Sequence, residues 1–297
     1  MRRRRPAARG RERAARRNEK VVGVLGGMGP LATADFYTKL VRLTPARTDQ
    51  DHLRVLIDSN PKIPDRTAGL QGRGPDPTPH LIATARALER AGAEVIAIPC
   101  NSAHAYLAAI RKAVRVPVLD IMEEVAITAA ALTPRPRVVG LLATPGTTRA
   151  RLYHRALEPR GIAVLDPTPA EEAGVVEAIK AVKAGNLGAA TRERVRQTAL
   201  ALLQRGAEAL VLGCTELPLI IGPQDAPVPV LDGTEILAAA AVREAMPPAG
   251  LPALRKEGPP QGGDSPEEFS PSLRRSYPRT SSAQRHPVGV SQPARRR

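Results

Sequence analysis

An internal duplication constrains the fold of this chain more than any other feature of its sequence. The chain's only two cysteines, Cys100 and Cys214, lie 114 positions apart, and each closes a stretch that begins Gly-Ala-Glu and continues as an apolar run. The pentapeptide Val-Pro-Val-Leu-Asp occurs at residues 116–120 and again, letter for letter, at residues 228–232. Aligned landmarks in the same order indicate that one ancestral unit was used twice.

The pattern between these landmarks predicts the fold class. A third echo joins residues 22–25 to residues 139–142, so each half opens with a short apolar run. Such runs alternate with stretches of helical periodicity through both halves, which is typical of parallel strands joined by right-handed helical crossovers. We therefore predict an α/β protein of two similar domains related by a pseudo-twofold axis. Each domain is expected to be a mainly parallel sheet flanked by helices, with the active site in the interdomain cleft.

The domain limits follow from the repeat and from the charge distribution. We predict a first domain of residues 20–118 plus 231–247 and a second of residues 119–230. Of the net charge of +15, residues 1–20 carry +8 and residues 248–297 carry +5, which leaves +2 for the rest. Residues 1–19 are thus predicted to be a disordered basic arm and residues 248–297 a disordered basic tail. Because the core is nearly neutral, nucleic acid is not expected to be its partner, although a nucleic-acid-associated protein using the two tails is a third hypothesis.

Composition also predicts the surroundings of the protein. No apolar run reaches the roughly 18 to 20 residues that cross a bilayer, so we expect a soluble protein without a membrane partner. Two cysteines so far apart do not resemble a secreted disulfide framework, which favours a reducing, cytoplasmic location. Two Cys and five His without the usual short spacings also make a poor zinc set, so no metal is predicted.

Local patterns predict how the two cysteines are presented. Each follows the carboxyl end of a strand and precedes a predicted helix, the first at 103–114 with Asn101 or Ser102 as its cap. Helix N-terminal N–H groups would lower the pKa of a thiol in that position. Two other stretches at strand ends, residues 60–67 and 143–148, contain prolines and are predicted to be irregular loops.

Equivalent cysteines in duplicated halves indicate a particular chemistry. A lone buried cysteine is usually a small apolar residue, but two in matching crevices would face one ligand from opposite sides. One thiolate could then remove a proton from one face of a stereocentre while a thiol returns a proton to the other face. Inversion of a carbon acid therefore becomes the leading hypothesis.

The glycine-rich loop after the first strand leaves a second hypothesis open. Gly27, Gly29 and Ala32 formally match the dinucleotide fingerprint, and Asp58 could serve as the ribose acid, which would make the protein an NAD-binding oxidoreductase. The interpretation that we favour is a loop whose backbone N–H groups face the site, with Met28 among the substrate-binding residues.

Four ordered blocks of sequence resemble one known family. They are Gly26–Thr33 (GGMGPLAT), Pro61–Thr67 (PKIPDRT), Pro99–His104 (PCNSAH) and Leu212–Leu217 (LGCTEL), and they look like the signature blocks of the aspartate/glutamate racemase family. The resemblance covers residues 21–246, and the aspartate racemase branch is the most similar. It implies two α/β domains, a two-base mechanism without a cofactor such as pyridoxal phosphate, and a homodimer.

The resemblance also implies roles for the residues around the cysteines. Cys100 and Cys214 would be the acid/base pair. Asn101, Ser102 and Thr215 would hold the α-carboxylate and the amino group. The expected substrate is aspartate or glutamate, with a related racemase or isomerase acting on another carboxylate as the alternative.

Two cationic residues are expected to bind the substrate's side-chain carboxylate. They are Arg66 in the second block and Lys183 in the Val-Lys-x-Gly block, although Lys180 lies one helical turn from Lys183. His104 and Glu216, which follow the cysteines, either have surface roles or assist the proton exchange of the neighbouring thiols. Glutamate racemases tend to have His at position 216, so the Glu favours the aspartate branch.

Overall fold

The computed structural model describes residues 19–246, which contain two parallel β-sheets. The strands are β1 (Val22–Gly26), β2 (Val55–Ser59), β3 (Val95–Ala97), β4 (Val138–Ala143), β5 (Ala163–Leu165), β6 (Ala209–Gly213) and β7 (Val230–Asp232). The first sheet has the order β2-β1-β3 and the second has the order β5-β4-β6-β7. Every pairing between these strands is parallel. The predicted α/β class, with two mainly parallel sheets flanked by helices, is confirmed.

The helices alternate with the strands along the chain. They are α1 (Pro30–Leu43), α2 (Arg66–Leu70), α3 (Thr78–Arg90), α4 (Leu107–Ala113), α5 (Ile121–Ala131), α6 (Pro145–Arg149), α7 (Leu152–Leu157), α8 (Pro169–Lys183), α9 (Ala189–Gln204) and α10 (Gly233–Ala245). Within residues 19–246 no helix is long and apolar enough to cross a membrane. The predicted basic arm and basic tail lie outside the described residues, except for Glu19.

The repeated Gly-Ala-Glu has the same structural role in both halves. Gly92 and Gly206 follow helices α3 and α9 and adopt positive φ angles of 99° and 98°, which only glycine takes readily. Glu94 accepts a hydrogen bond from the backbone N–H just before β1 at 2.9 Å. Glu208 does the same for the N–H just before β4 at 2.5 Å. The repeated sequence therefore forms the same helix-to-strand turn in both halves, and its Glu side chain binds the backbone N–H group just before the adjacent strand.

The repeated Val-Pro-Val-Leu-Asp ends in a helix cap each time. Asp120 accepts hydrogen bonds from the backbone N–H groups of Met122 and Glu123 at the start of α5. Asp232 accepts them from two N–H groups at the start of α10, at 2.8 and 3.1 Å. Only the second copy forms a full strand, β7, because the first makes a single parallel bridge between Ile96 and Val118.

Helix α10 joins the two halves. It follows β7 of the second sheet, yet it packs against α1 of the first half and against α5. One buried apolar cluster contains residues from both sheets, among them Val22 of β1, Val139 of β4 and Leu237 of α10. The two halves thus share part of their core. The domain boundary predicted at residues 230/231 falls within β7, and the domain limits stay a prediction.

Three local predictions require correction. The segment predicted as helix 103–114 is a 3-10 helix at Ser102–Tyr106 followed by α4. Its predicted cap is wrong, because the Asn101 side chain makes no capping hydrogen bond and the Ser102 hydroxyl faces the Cys100 sulfur instead. The predicted loop at 60–67 ends earlier, since the Asp65 carboxylate accepts from Ala68 N at 2.7 Å and starts α2. The predicted loop at 143–148 contains most of α6, with Pro145 in the first turn, where proline costs no hydrogen bond.

Candidate active site

The loops at the carboxyl ends of the strands from both halves enclose a small cavity. Cys100 lies three residues beyond β3, and Cys214 follows β6 directly. The cavity has a volume of about 20 Å³, which is room for a single water molecule. Nine of the ten predicted site residues line it: Met28, Arg66, Cys100, Asn101, Ser102, Lys183, Cys214, Thr215 and Glu216.

The two cysteines share this cavity but have different neighbours. Both are free thiols, buried to 4% and 6% exposure. The Cys100 sulfur lies 3.7 Å from the Ser102 hydroxyl oxygen, at the long end of a hydrogen bond to sulfur. The Cys214 thiol donates a much shorter hydrogen bond, 3.0 Å, to Oε2 of Glu216. The duplication therefore gives two equivalent sulfurs in unequal surroundings.

The electrostatics of Cys214 overturn one prediction. Burial raises the pKa of the Cys214 thiol well above its ordinary value, and the negative charge of Glu216 raises it further, while the Lys183 ammonium opposes both. The predicted lowering of the pKa is therefore wrong for Cys214. The physical reason is local: burial of the sulfur and its 3.0 Å hydrogen bond to the Glu216 carboxylate outweigh the Lys183 ammonium and the Glu216 backbone N–H, which both lower the pKa.

Glu216 is part of the cavity wall and not of the surface. It is 2% exposed, so the surface role considered for it is wrong. Its Oε1 atom has no hydrogen-bond partner in the part of the chain that the structure describes. A Cβ placed on Gly29 would lie 3.0 Å from that oxygen, so a glycine in the first half leaves room for a carboxylate from the second. One carboxylate oxygen thus binds the thiol while the other stays available.

His104 ties the first cysteine loop to helix α5 and does not line the cavity. The backbone N–H of Ile121 donates to its Nε2 at 3.2 Å, so the proton sits on Nδ1, which is 2.9 Å from the carbonyl oxygen of Cys100. Burial lowers the pKa of His104, which favours the neutral ring. Both ring nitrogens are occupied and the residue is buried, so its predicted surface role is wrong and no nitrogen is free to exchange a proton with the thiol.

Arg66 presents one free edge. Its Nη1 donates to the carbonyl oxygens of Ile63 at 3.1 Å and Pro64 at 2.9 Å, and Nη2 lies 3.4 Å from that of Met28. Its Nε is buried and has no acceptor among residues 19–246. A guanidinium has five N–H donors in a rigid fork. The edge formed by Nε and the second Nη2 hydrogen therefore remains for a planar anion.

The structure distinguishes the two candidate lysines. Lys183 lines the cavity. Lys180 instead pairs with Glu177 on the exposed face of α8 at 2.9 Å. Desolvation lowers the pKa of Lys183, but the charge of Glu216 and the two cysteines leave it above its ordinary value. Lys183 therefore carries a positive charge beside the cavity.

Hydrogen bonds across the two halves fix the cysteine loops. The Thr215 hydroxyl donates to the carbonyl oxygen of Pro99 at 3.3 Å. The Tyr153 hydroxyl donates to Oδ1 of Asn101 at 2.6 Å, and this partner explains why Asn101 does not cap the following helix. The Nδ2 group of Asn101 is buried and unpartnered within the described residues. Each link joins a residue beside one cysteine to the other half of the molecule.

Sequence reasoning missed five residues that line the cavity, namely Thr144, Thr147, Asp65, Thr67 and Gly213. A signal for the first two was present, because the echo between residues 22–25 and 139–142 makes the loop after β4 the counterpart of the glycine-rich loop after β1. The sequence did not predict that the two halves would contact each other at this point. A Cβ on Gly146 would lie 2.6 Å from the Thr67 hydroxyl oxygen, so α6 and α2 approach closely there.

A larger chamber adjoins the cavity. It has a volume of about 260 Å³ and shares four of the cavity's lining residues: Met28, Arg66, Lys183 and Glu216. Its other walls are glycine backbone and apolar side chains: Gly27, Gly29, Pro30, Leu31, Pro61 and Val182. The chamber therefore borders the cavity at the two cationic residues, Arg66 and Lys183.

The glycine pattern has a packing explanation. Gly27 has a φ of +87°, and a Cβ there would lie 2.4 Å from backbone atoms of Asn60. The close approach is thus to the neighbouring loop, and no dinucleotide is needed to account for it. Among residues 19–246 no group of three or more His, Cys, Asp or Glu side chains could hold a metal ion.

Comparison with known proteins gives consistent matches. A family model described as Asp/Glu/Hydantoin racemase matches residues 25–241. The broad specificity amino-acid racemase RacX of Bacillus subtilis (strain 168) is 29% identical over 234 residues, which are 75% of this chain and 96% of that protein. A glutamate racemase of Deinococcus radiodurans is 34% identical over 147 residues, which span about half of each protein, 47% and 48%.

Solved structures give the same result for the fold. The aspartate racemase of Picrophilus torridus is similar with a TM-score of 0.68 and 31% identity, over 76% of this chain and 94% of that one. A glutamate racemase of Francisella tularensis in complex with D-glutamate has a TM-score of 0.56 at 19% identity, over 76% of this chain and 81% of that one. At that identity the second likeness shows the fold alone.

Proposed function

Because the chain belongs to the Asp/Glu/hydantoin racemase family and is thus an isomerase, we propose that it inverts the α-carbon of an acidic amino acid, with Cys100 and Cys214 as its two bases. Aspartate is the first candidate substrate and glutamate the second. The observation that carries the proposal is that the two cysteines, from equivalent positions in duplicated halves, line one cavity. A two-base inversion needs one acid/base group on each side of the reacting carbon.

The unpartnered polar atoms of the cavity support an amino acid as the ligand. Arg66 Nε and Asn101 Nδ2 are buried donors, and Glu216 Oε1 is a buried acceptor, all without partners among the described residues. Leaving such a group unsatisfied costs about 1–3 kcal/mol, so three around one cavity favour a ligand that pairs with them. An amino-acid zwitterion supplies carboxylate oxygens for the donors and an ammonium group for the acceptor.

In the proposed binding mode each charged end of the substrate contacts residues from both halves. The α-carboxylate and the ammonium group lie among Asn101, Ser102 and Thr215. The side-chain carboxylate lies against the free edge of Arg66 and the ammonium of Lys183, since a guanidinium edge binds a carboxylate through two parallel hydrogen bonds.

The reaction requires no net gain or loss of protons. The Cys100 thiolate removes the α-hydrogen from one face, the electron pair is delocalised into the α-carboxylate, and the Cys214 thiol delivers its proton to the opposite face. The enzyme is left with Cys100 as thiol and Cys214 as thiolate, which is the starting state for the reverse substrate. Hydrogen bonds to the α-carboxylate lower the barrier because they strengthen as negative charge develops there.

Substrate entry requires the loops that enclose the cavity to move apart. A cavity of about 20 Å³ holds one water molecule and no amino acid, so the structure corresponds to a closed arrangement. The adjoining chamber of about 260 Å³ is the proposed route of entry. Closure around the substrate would exclude water from the carbanion.

Loss of racemisation in the cysteine variants tests this proposal. Purified wild-type protein is incubated with L- or D-aspartate, and both enantiomers are followed by chiral chromatography. Cys100→Ser and Cys214→Ser are each expected to lose interconversion, because serine keeps the size but is a far weaker acid and base near neutral pH. Unchanged racemisation in both variants would remove the two-cysteine mechanism.

A wider substrate range is a second candidate, and the apolar chamber favours it. Four lining residues belong to both spaces, so a side chain longer than that of aspartate could extend towards Pro30, Leu31 and Val182. The relative named a broad specificity amino-acid racemase covers the same ordered region. A panel of acidic, neutral and basic amino acids, assayed for loss of optical purity, distinguishes the candidates, since activity on acidic members alone would exclude the wider range.

We further propose a cytoplasmic homodimer and the domain limits predicted from the repeat. Light scattering coupled to size-exclusion chromatography measures the assembly directly. A monomeric mass at micromolar concentration would contradict the dimer.

A further inference from the structure

Tyr153 contacts the residue next to each cysteine. It lies in α7 and is the largest fully buried side chain of the described region. Its hydroxyl donates to Oδ1 of Asn101, the residue after Cys100, at 2.6 Å. A Cβ placed on Gly213, the residue before Cys214, would lie 3.0 Å from the Tyr153 ring carbon Cε2. One side chain of the second half therefore touches both cysteine loops.

We propose that Tyr153 is a positioning residue for the racemase reaction: its hydroxyl holds the Asn101 amide in the one orientation that presents Nδ2 to the substrate's carboxylate. Its ring at the same time abuts the backbone that leads into Cys214. The proposal rests on the proposed function, because it assigns the orientation of a group in that same site.

The argument depends on the two ends of an amide. An Asn side chain offers an acceptor oxygen and a donor NH₂ group, which exchange places when the amide turns over. The Tyr153 hydroxyl has no acceptor other than Oδ1 of Asn101 within residues 19–246, so its buried O–H is satisfied only in the orientation that turns the amide oxygen toward it. In that orientation Asn101 lines the cavity and its buried Nδ2 has no partner within residues 19–246. A substrate carboxylate supplies the missing acceptor.

The surroundings of Tyr153 keep it a donor. Burial raises the pKa of the phenol far above its ordinary value, and the charges of Asp120, Asp232 and Cys214 raise it further. The hydroxyl therefore keeps its proton throughout the pH range of an activity assay. Gly233 leaves space for it, since a Cβ there would lie 3.2 Å from the hydroxyl oxygen.

Tyr153→Phe tests the hydroxyl alone, because the ring that packs against Gly213 is retained. The cost of losing a hydrogen bond to a charged group is about 1.5–3 kcal/mol. We therefore expect kcat/KM for aspartate to fall roughly 10- to 150-fold, as it should in Asn101→Ala. Tyr37→Phe is the matched control, since Tyr37 is 42% exposed, and it should leave kcat/KM unchanged.

The double variant separates positioning from general packing. If Tyr153 acts through the amide, Tyr153→Phe combined with Asn101→Ala is no worse than Asn101→Ala alone. Effects that multiply would overturn the proposal, and so would a Tyr153→Phe enzyme within twofold of wild type. Racemisation by the wild type establishes the proposed function beforehand, so failure of this inference is distinguishable from failure of that function.

A second variant keeps the test decisive if Tyr153→Phe does not fold. Asn101→Asp retains an oxygen for the Tyr153 hydroxyl but replaces the Nδ2 donor with a negatively charged acceptor. The proposal predicts a loss of at least 10-fold in kcat/KM together with an unfolding temperature close to that of the wild type. Racemisation within twofold of wild type in Asn101→Asp would show that Nδ2 does not face the carboxylate.

Discussion

Replacing Arg66 with lysine is the sharpest perturbation of substrate recognition. Arg66 is 7% exposed, and three backbone carbonyl oxygens fix two of its nitrogens. In the proposed binding mode, the edge that contains the unpartnered Nε binds the side-chain carboxylate of aspartate. Lysine keeps the positive charge but offers a point charge in place of two parallel donors.

The size of the effect follows from the hydrogen bonds at stake. Loss of one bond to a charged group costs about 1.5–3 kcal/mol. At about 1.4 kcal/mol per factor of ten, kcat/KM for aspartate should fall roughly 10- to 150-fold in Arg66→Lys. An amino acid with no side-chain carboxylate, such as alanine, should lose far less, because it never used that edge.

The assay compares kcat/KM for aspartate with that for a neutral amino acid in the wild type, in Arg66→Lys and in a control. Arg86→Lys is the control, because Arg86 is an exposed arginine whose Nε also bonds a backbone carbonyl, that of Ala113, outside the cavity. Thermal unfolding shows whether the loss of bonds to the Ile63 and Pro64 carbonyls has loosened the loop. An equal loss for both substrates, or none for aspartate, would refute the assignment of Arg66 to the side-chain carboxylate.

Three further predictions follow from charges outside the Arg66 edge. Burial raises the pKa of Cys214 and the charge of Glu216 raises it further, so Glu216→Gln should make alkylation of Cys214 by iodoacetamide fast at a lower pH than in the wild type. An unchanged pH dependence of the alkylation rate would contradict the interaction between Glu216 and Cys214. Lys39→Met leaves Asp232 without its 2.7 Å ion pair, which should cost about 3 kcal/mol and lower Tm by roughly 6–12 °C in a calorimeter. Burial lowers the pKa of His104 in the folded protein, so the stability that this residue contributes is complete above its unfolded pKa of 6.5 and is lost as the pH falls below that value. His104→Gln should therefore reduce the decrease in the free energy of unfolding at acidic pH, by at most about 1.4 kcal/mol per pH unit in urea titrations.

The internal repeat allowed much of the architecture to be predicted from the sequence. Equivalent positions predicted that Cys100 and Cys214 would follow strands at matching edges, and both line one cavity. The roles of the repeated Glu94 and Glu208 and of the repeated Asp120 and Asp232 were not predicted, although each pair repeats in structure as in sequence. Residue types such as Asn and Asp suggest helix caps, but the sequence alone did not show which of these residues would cap a helix.

What could not be predicted depends on contacts between distant residues. Asn101 has the composition of a cap, but its oxygen is engaged by Tyr153, a partner 52 positions away in the other half. Burial raises the pKa of Cys214 and the Glu216 carboxylate raises it further, and the sequence shows neither how the loop packs nor which rotamer Glu216 adopts. Thr144 and Thr147 were missed because their relevance appears only when α6 is packed against the first half.

The central claim is that two sulfurs act on opposite faces of one carbon, and hydrogen exchange at that carbon in heavy water tests it most directly. Wild-type protein is incubated separately with L- and D-aspartate, and deuterium at the α-carbon of both recovered enantiomers is measured by mass spectrometry after chiral separation. The account predicts deuterium first in the newly formed enantiomer from either starting material, and the loss of that interconversion in Cys100→Ser and in Cys214→Ser. Product that retains the substrate's own hydrogen, or interconversion that survives both substitutions, would contradict it.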